Sequence, residues 1–160
     1  MSRVGFGQDS HRFSDDPQRK LVLGGVAVPN EAGLAGNSDA DVVLHALCRA
    51  LEQAIGRDSF SRYADEMSQR GINDSGEYLK VARAHVAEAG YRVINVGLTI
   101  EASKPRIEPL SRMMKINIAG ILEIGEDAIG INATTGEGLS AFGRGEGIQA
   151  LAIVNLERRR

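Results

Sequence analysis

The chain has 160 residues, of which 42% are hydrophobic and 25% charged, values that are typical of one folded domain. Its formal net charge of −2 argues against a surface dedicated to nucleic acid or to an anionic membrane. A single cysteine excludes an internal disulfide, and the sequence has neither a signal-like leader nor an apolar run of membrane-spanning length. We therefore expect a cytoplasmic protein with one domain over residues 1–160.

The first third of the chain predicts two strands followed by a helix. A strand is expected at 4–11, and a second at 20–28, where paired glycines interrupt it. Residues 29–36 are rich in Pro, Asn and Gly and are expected to form a loop. Apolar residues then recur at helical spacing over 39–55, and Ser38 three residues before an Asp is typical of a helix start.

The rest of the chain alternates between helical periodicity and β-branched runs. The expected elements are helices at 61–67, 74–89 and 106–124 and strands at 91–100, 128–133 and 148–156. This order predicts an α+β fold, in which helices cover a mixed β-sheet in a single two-layer domain. The low aromatic content, 4%, slightly favours assembly into an oligomer.

The opening strand carries a carboxylate and an imidazole, Asp9 and His11, two positions apart. Both face the same side of a strand, with Cβ atoms roughly 6–7 Å apart. His45, one turn into the first helix, would complete a set of one oxygen and two nitrogens. Such a set suits Zn²⁺ and leaves a fourth position for water or substrate. The alternative is that Asp9 caps a turn, His11 is a surface residue and His45 packs inside the helix.

Two further residues of reactive type are expected to be structural. Cys48, on the same helix as His45, is interpreted as a small buried side chain rather than a nucleophile. His85, in the middle of the second long helix, has no evident partner in the sequence and is expected to be structural or solvent-facing.

A loop with five glycines spans residues 134–147. The hydroxyls of Thr134 and Thr135 and the free N–H groups around Gly136 can cradle a phosphate. Glu137 can hold Mg²⁺ or Mn²⁺ that bridges phosphate oxygens, and Arg144 adds a planar donor for an anion. A flexible hairpin loop is the alternative.

Residues 102–109 place two cations, Lys104 and Arg106, where a strand ends and a helix begins. Backbone N–H groups are free at such a point, and an anionic ligand would offset the unfavourable effect of positive charge on the helix dipole. The alternative is that both side chains are ordinary surface charges.

Taken together, these segments resemble the 2-C-methyl-D-erythritol 2,4-cyclodiphosphate synthase family of the non-mevalonate isoprenoid pathway. Four motifs occur in the family's order over almost the whole chain. They are Gly7-Gln-Asp9-Ser-His11, Ser38-Asp-Ala-Asp-Val-Val-Leu-His45-Ala46, Lys104-Pro-Arg106, and Ala133-Thr-Thr-Gly-Glu137 with Gly143-Arg-Gly-Glu-Gly-Ile148.

The resemblance implies a phosphorus-oxygen lyase that forms a homotrimer with active sites at the subunit interfaces. Its substrate would be 4-diphosphocytidyl-2-C-methyl-D-erythritol 2-phosphate, and its products the cyclic diphosphate and CMP. Zn²⁺ would bind Asp9, His11 and His45, and Glu137 would hold Mg²⁺ or Mn²⁺ on the substrate diphosphate. Thr135 would stabilise the transition state.

The resemblance also implies a substrate-binding set, in which the segment that starts at Ala102 lines the cytosine pocket. The set is Asn37, Ser38, Asp58, Asp65, Ala102, Ser103, Lys104, Pro105, Arg106, Ile107, Glu108, Thr134, Thr135, Gly136, Glu137 and Arg144.

The chain departs from the family pattern at several of these positions. Asn37 stands where the family usually has a His that supports the diphosphate, and Asn37 would take over that catalytic role through a hydrogen bond. The ribose-binding region, here 57–67, is poorly kept, and Phe60 replaces a glycine where it would crowd the ribose. Two alternatives follow: a metal-dependent enzyme with another diphosphate substrate, or a non-catalytic trimer that binds a ligand.

Overall fold

The computed structural model describes residues 1–159, which form an α+β fold with four helices and six strands. The strands are β1 Ser2–Arg12, β2 Lys20–Leu23, β3 Val26–Ala32, β4 Tyr91–Glu101, β5 Ile129–Thr134 and β6 Gly147–Arg158. The helices are α1 Val42–Ala54, α2 Ser61–Gln69, α3 Ser75–Glu88 and α4 Ser111–Leu122.

Four of the strands form one mixed sheet in the order β1-β6-β4-β5. The pairs β1–β6 and β6–β4 are antiparallel, and β4 and β5 run parallel. The helices cover this sheet, and α1 lies against β1 and β6 while α3 packs on α1. The predicted α+β fold, with a mixed sheet covered by helices, is therefore confirmed.

Two glycines in β1 allow α1 to lie directly on that strand. A Cβ atom at Gly5 would lie 1.9 Å from the carbonyl oxygen of Ala50, and one at Gly7 would lie 2.1 Å from that of Ala46. No side chain fits at such distances. Glycine at both positions therefore lets β1 and α1 approach each other more closely than any other residue type would permit. This contact brings His45 of α1 over the end of β1.

The first helix begins later than predicted, at Val42, because Asp41 is its N-cap. The Asp41 carboxylate accepts hydrogen bonds from the backbone N–H groups of Val43 and Leu44, each at 3.1 Å. It also accepts from Gly24 and Gly25 at 2.9 and 2.7 Å. One buried carboxylate thus fixes both the start of α1 and the turn between β2 and β3.

Three other boundaries differ from the prediction. The segment 20–28 is not one strand but a hairpin, since both glycines at its centre have positive φ and form the turn between β2 and β3. The predicted loop at 29–36 is strand as far as Ala32, because pairing with β2 outweighs its loop-like composition. The helix expected at 106–124 is a 3₁₀ turn at Glu108–Leu110 followed by α4, which ends at Leu122 and is capped by Glu123 with φ 57°.

The predicted short helix at 61–67 and the helix that ends before Gly90 are both present. Gly90 has φ 81°, the left-handed conformation expected of a residue that follows a helix C-terminus.

A buried polar cluster lies between α1 and α3, away from the predicted metal ligands. His85 Nδ1 is 2.7 Å from Glu52 Oε1, and the Glu52 side chain is 1% exposed. The expectation that His85 has no partner is therefore wrong, although its structural role is confirmed. Cys48 is fully buried, as predicted, and burial raises the pKa of its thiol well above the ordinary value.

One face of the sheet remains open to solvent. Val4, Phe6 and Ile153, on the neighbouring strands β1 and β6, are 62%, 50% and 51% exposed. Within residues 1–159, no helix combines the length and the apolar character needed to cross a bilayer. The cytoplasmic location stays a prediction.

Candidate metal centre and active site

The structure brings Asp9, His11 and His45 together, as the sequence predicts. Asp9 Oδ2 lies 3.1 Å from His11 Nε2 and 3.1 Å from His45 Nδ1. One ligand atom from each residue lies within 4.8 Å of the other two. Tetrahedral coordination with bonds of about 2.0–2.1 Å separates ligand atoms by about 3.3 Å, so these donors need to move little to hold one ion.

The second nitrogen of His45 is held by a chain of polar side chains. His45 Nε2 lies 2.8 Å from Ser75 Oγ, at the start of α3, and the Ser75 hydroxyl donates to Asp39 Oδ1. The backbone N–H of Ser75 donates to the other oxygen of Asp39 at 3.0 Å. Ser38 Oγ is more distant from His45 Nε2, at 3.4 Å. Such contacts orient a metal-binding histidine and fix the nitrogen that faces the ion.

The charges of the group follow from its hydrogen bonds. Burial is the largest influence on Asp9 and raises its pKa, but hydrogen bonds and attraction from both histidines outweigh it, and the pKa falls well below 3.8. The hydrogen bond to Asp9 is the largest influence on His11 and raises its pKa above 6.5, against the opposing effect of burial. The carboxylate is therefore ionised at neutral pH and available as a ligand.

The three side chains line one wall of a pocket of about 160 Å³. Its other walls come from the segment before α1, from α1 itself, and from α2 and α3. They are formed by Asn37, Ser38, Arg49, Phe60, Ser61, Ala64, Asp65, Ser68 and Tyr78. The predicted substrate residues Asn37, Ser38 and Asp65 are thus beside the metal ligands. Asp58 is exposed and does not line this pocket, and its place in the substrate-binding set stays a prediction.

Phe60 lines the metal pocket. Its ring is 3% exposed and packs against the imidazole of His45, with ring centroids 5.1 Å apart. The Arg49 guanidinium lies over the other part of this ring, with its Cζ atom 5.0 Å from the centroid. Phe60 is therefore part of the pocket lining, and the crowding of the ribose at this position stays a prediction.

A second pocket, of about 180 Å³, is built from the predicted cytosine-binding segment and the end of β5. It is lined by Ala102, Ser103, Pro105, Arg106, Ile107, Glu108, Ala133, Thr134 and Thr135. Lys104 is not among these residues, since its ammonium group lies over the ring of Phe13, 5.6 Å from the centroid.

The predicted phosphate loop is exposed, and its two threonine hydroxyls shape the backbone. Thr134 Oγ1 accepts from the N–H of Gly136 at 3.1 Å, and Thr135 Oγ1 accepts from that of Glu137 at 3.4 Å. Both Gly136 and Glu137 have positive φ, 67° and 51°. The Glu137 side chain faces solvent, where it can take a cation.

A side-chain hydrogen bond anchors this loop to the sheet, and it was not predicted. The Ser140 hydroxyl donates to Glu101, the last residue of β4. Gly136 lies beside the same Glu101 carboxylate and has φ 67°, a left-handed conformation that favours glycine. Arg144 pairs with Glu146 at 3.1 Å rather than with the threonines, and it does not line either pocket.

The two pockets lie at opposite edges of the sheet. Asp9 on β1 is level with Ala150 on β6, then Ile100 on β4, then Ala133 on β5. Three interstrand spacings of about 4.8 Å separate Asp9 from Ala133, a distance of about 14 Å. Within one chain, the metal ligands and the threonines of the loop are therefore not in contact.

Sequence reasoning missed Ser75 and Arg49 as residues of the site. Ser75 follows the Asp that starts α3, a position that signals only a helix start, and its contact with Asp39 depends on how α3 packs on α1. Arg49 lies one turn after His45 on α1, so helical spacing places it beside the metal ligands.

Residues 2–157 match the model of the YgbB family. The chain belongs to this family. It is 44% identical over 158 residues to the 2-C-methyl-D-erythritol 2,4-cyclodiphosphate synthase of Syntrophomonas wolfei, with 98% of this chain and 99% of the relative aligned. The resemblance drawn from the four motifs is therefore confirmed.

Solved structures of the family share the fold. A CDP complex of IspF from Plasmodium falciparum matches with a TM-score of 0.87 and 26% identity, over 99% of this chain and 97% of that one. The bifunctional IspDF from Campylobacter jejuni matches with a TM-score of 0.90 and 34% identity. That match covers 99% of this chain and 42% of the longer bifunctional chain.

Proposed function

We propose that this protein is a 2-C-methyl-D-erythritol 2,4-cyclodiphosphate synthase, a phosphorus-oxygen lyase of non-mevalonate isoprenoid biosynthesis. Its substrate is 4-diphosphocytidyl-2-C-methyl-D-erythritol 2-phosphate, and its products are 2-C-methyl-D-erythritol 2,4-cyclodiphosphate and CMP. The observation that carries the proposal is the convergence of Asp9, His11 and His45 in a chain that aligns over nearly its full length with curated synthases.

The donor set fits zinc at Asp9, His11 and His45. One carboxylate and two imidazoles are typical zinc ligands, and the contacts beyond His45 supply the support that such a ligand needs. Glu137, with an exposed carboxylate, would hold Mg²⁺ or Mn²⁺. When bound, the two ions supply Lewis-acid polarisation and charge neutralisation at the substrate diphosphate.

The reaction joins two groups of the same substrate molecule, so it needs no side-chain nucleophile. An oxygen of the 2-phosphate forms a bond to the β-phosphorus, the bond from that phosphorus to the bridging oxygen breaks, and CMP leaves with the electron pair. The chain positions the reacting groups and stabilises charge. In this proposal Thr135 donates a hydrogen bond to the developing charge, Thr134 holds the diphosphate, and Asn37 donates beside the metal ligands.

The pocket at Ala102 to Glu108 is the proposed cytosine site. This pocket of about 180 Å³ is lined by apolar Ala102, Pro105 and Ile107 among others, and in this proposal backbone groups of the segment recognise the base. Lys104, Gly136 and Arg144 complete the proposed binding set, although Lys104 and Arg144 reach it only by leaving Phe13 and Glu146. Asp58 and Asp65 are proposed to belong to the segment that holds the ribose and shapes the protein loop beside the substrate.

The protein is proposed to act as a homotrimer. A substrate that contacts both pockets has to span about 14 Å of one sheet, or else lie between the metal pocket of one subunit and the loop of the next. The exposed apolar side chains Val4, Phe6 and Ile153 lie on the sheet face that a second copy would cover.

The test is CMP release from the cytidylyl substrate by protein supplied with zinc and magnesium. We expect turnover, its loss on chelation, and its recovery when both metals are returned. Binding of the substrate without CMP release would favour a non-catalytic role, and turnover of a different diphosphate alone would favour another enzyme on the same fold. Full activity in metal-free protein would contradict the assignment of the site.

A further inference from the structure

Arg49 is a cation inside the metal pocket to which the proposed mechanism assigns no role. It lies on α1, one turn after His45, and its side chain is 39% exposed. Its guanidinium lies on the ring of Phe60, which holds the planar group in place from below. Arg49 lines the same pocket as Asp9, His11 and His45.

The hydrogen-bonding capacity of Arg49 is largely unused. A guanidinium carries five N–H donors. Within residues 1–159, the one polar partner of this side chain is Asp9, and the distance from Nη2 to Asp9 Oδ1 is 3.5 Å, the outer limit for a hydrogen bond. The Nε atom is buried and has no partner. Nε is therefore closed to a ligand, and the donors that remain for one are on the terminal Nη1 and Nη2 groups.

The charge balance of the pocket also calls for an anion. A divalent cation on Asp9, His11 and His45 exceeds the charge of the one carboxylate among its ligands, and Arg49 adds a further positive charge within reach of Asp9. Asp65 is the other carboxylate that lines the pocket, and it leaves the sum positive. A short two-point contact with Asp9 would indicate an ion pair made for stability, but the observed contact is single and long.

We propose that Arg49 is an oxyanion-binding residue that takes a phosphoryl oxygen of the diphosphate next to the metal ligands. This inference rests on the proposed function, because it concerns the same site. Phe60 fixes the guanidinium, and Arg49 donates from its unpaired edge to the phosphoryl group. The combination of Arg49 and Phe60 thereby adds to phosphate binding in the region where the chain departs from the family pattern.

The experiment compares Arg49→Met and Arg49→Lys with the wild type in the zinc-loaded protein. Calorimetry measures the affinity for inorganic pyrophosphate and for CDP, and chelator competition measures the affinity for zinc. We expect Arg49→Met to weaken pyrophosphate and CDP binding about 10- to 100-fold, the value of charged hydrogen bonds. Arg49→Lys should recover only part of this, since an ammonium lacks the planar set of donors. Zinc affinity should stay the same or rise, because a like charge is removed.

Arg62→Met is the matched control, since Arg62 is exposed on α2 and does not line the pocket. It removes the same charge and should leave pyrophosphate affinity unchanged. Pyrophosphate and CDP affinities within about twofold of the wild type in Arg49→Met would overturn the inference. A fall in zinc affinity that equals the loss of pyrophosphate affinity would also overturn it, because Arg49 would then act by orienting Asp9.

These outcomes separate the inference from the proposed function. If CMP is released and Arg49→Met binds pyrophosphate normally, the function stands and the inference fails. If no CMP is released but pyrophosphate binding requires both zinc and Arg49, the inference stands and the assigned reaction fails. Thermal unfolding of each variant shows whether the fold is retained.

Discussion

The two pockets of this protein are built differently. Around Asp9, His11 and His45, each side chain is fixed by partners from separate elements, and the carboxylate of Asp9 is 10% exposed. Around Thr134, Thr135 and Glu137 the side chains face solvent and contact mainly their own loop. The three predicted metal ligands are therefore brought together within one chain, whereas the side chains of Thr134, Thr135 and Glu137 remain exposed to solvent.

This difference predicts that substitutions in the two pockets separate metal binding from turnover. Changes at the metal pocket should act on metal affinity first and on activity as a consequence. Changes at the loop should act on turnover alone.

The largest effect is expected for His11→Ala. Loss of one of three ligands should abolish tight zinc binding and lower CMP release by about 1,000-fold or more, because several kcal/mol of charge stabilisation disappear. Metal content by mass spectrometry and CMP release measure the two effects.

His85→Ala is the comparison variant for His11→Ala, since His85 lies outside both pockets and pairs with buried Glu52. It should lower stability by about 3 kcal/mol while the zinc content stays at the wild-type level. Loss of zinc in His85→Ala with retention in His11→Ala would reverse the assignment of the histidines.

Thr135→Ala tests the loop. Removal of one hydrogen-bond donor to the transition state should lower kcat about 100-fold, with zinc affinity unchanged. Thr135→Ser keeps the hydroxyl and should restore most of the activity. Equal kcat values for Thr135→Ala and the wild type would remove this residue from the mechanism.

Ser75→Ala tests the support of His45. Without the hydroxyl between His45 Nε2 and Asp39, zinc affinity should fall about 10- to 100-fold, while saturating zinc should restore activity. Ser10→Ala is the control, because Ser10 lies between the two β1 ligands and is exposed on the opposite face of the strand. An unchanged zinc affinity in Ser75→Ala would limit Ser75 to a structural role in α3.

Gly7→Ala tests how the fold positions the metal pocket. Its Cβ would lie 2.1 Å from the Ala46 carbonyl, so α1 has to move away from β1 at a cost of about 1–3 kcal/mol, and zinc affinity should fall with it. Gly120→Ala, on the exposed side of α4 with no atom within 4 Å of the added Cβ, should instead stabilise the protein by up to about 1 kcal/mol. Denaturant unfolding measures both changes, and equal stabilities would contradict the close approach of α1.

The smallest effect is a pH dependence. As the pH rises, the stability of the metal-free protein should fall, whereas the affinity for zinc should increase. The pKa of His11 is raised above 6.5, so its contribution to the stability of the metal-free protein is complete below 6.5 and lost as the pH rises through the raised value. Zinc needs the neutral imidazole, so zinc affinity should fall as the pH drops through the same range. Thermal unfolding with and without zinc measures both trends, and His11→Ala should remove the trend of the metal-free protein.

The sequence predicted the metal ligands because their signals are local. Alternation along β1 places Asp9 and His11 on one face, and the family motif adds His45. The helices and strands were also predicted, but their ends differ from the prediction where a tertiary contact determines them. Asp41 starts α1 because it also binds the β2–β3 turn, which helical periodicity cannot reveal.

Most of what sequence reasoning missed depends on contacts between distant segments, although helical spacing alone places Arg49 beside His45. Ser75 meets His45 only because α3 packs on α1, and Arg49 meets Phe60 only because α2 begins beside the pocket. Glu52 and His85 find each other in the same way, 33 positions apart. No local pattern specifies such pairs.

Anomalous diffraction from zinc-soaked crystals, recorded at the zinc absorption edge, tests most directly whether these ligands bind a metal ion. A single strong peak is expected about 2.0–2.2 Å from Asp9 Oδ2, His11 Nε2 and His45 Nδ1, and it should be absent from crystals of His11→Ala. A peak at other residues, or the same peak in His11→Ala, would contradict the assignment of the metal centre.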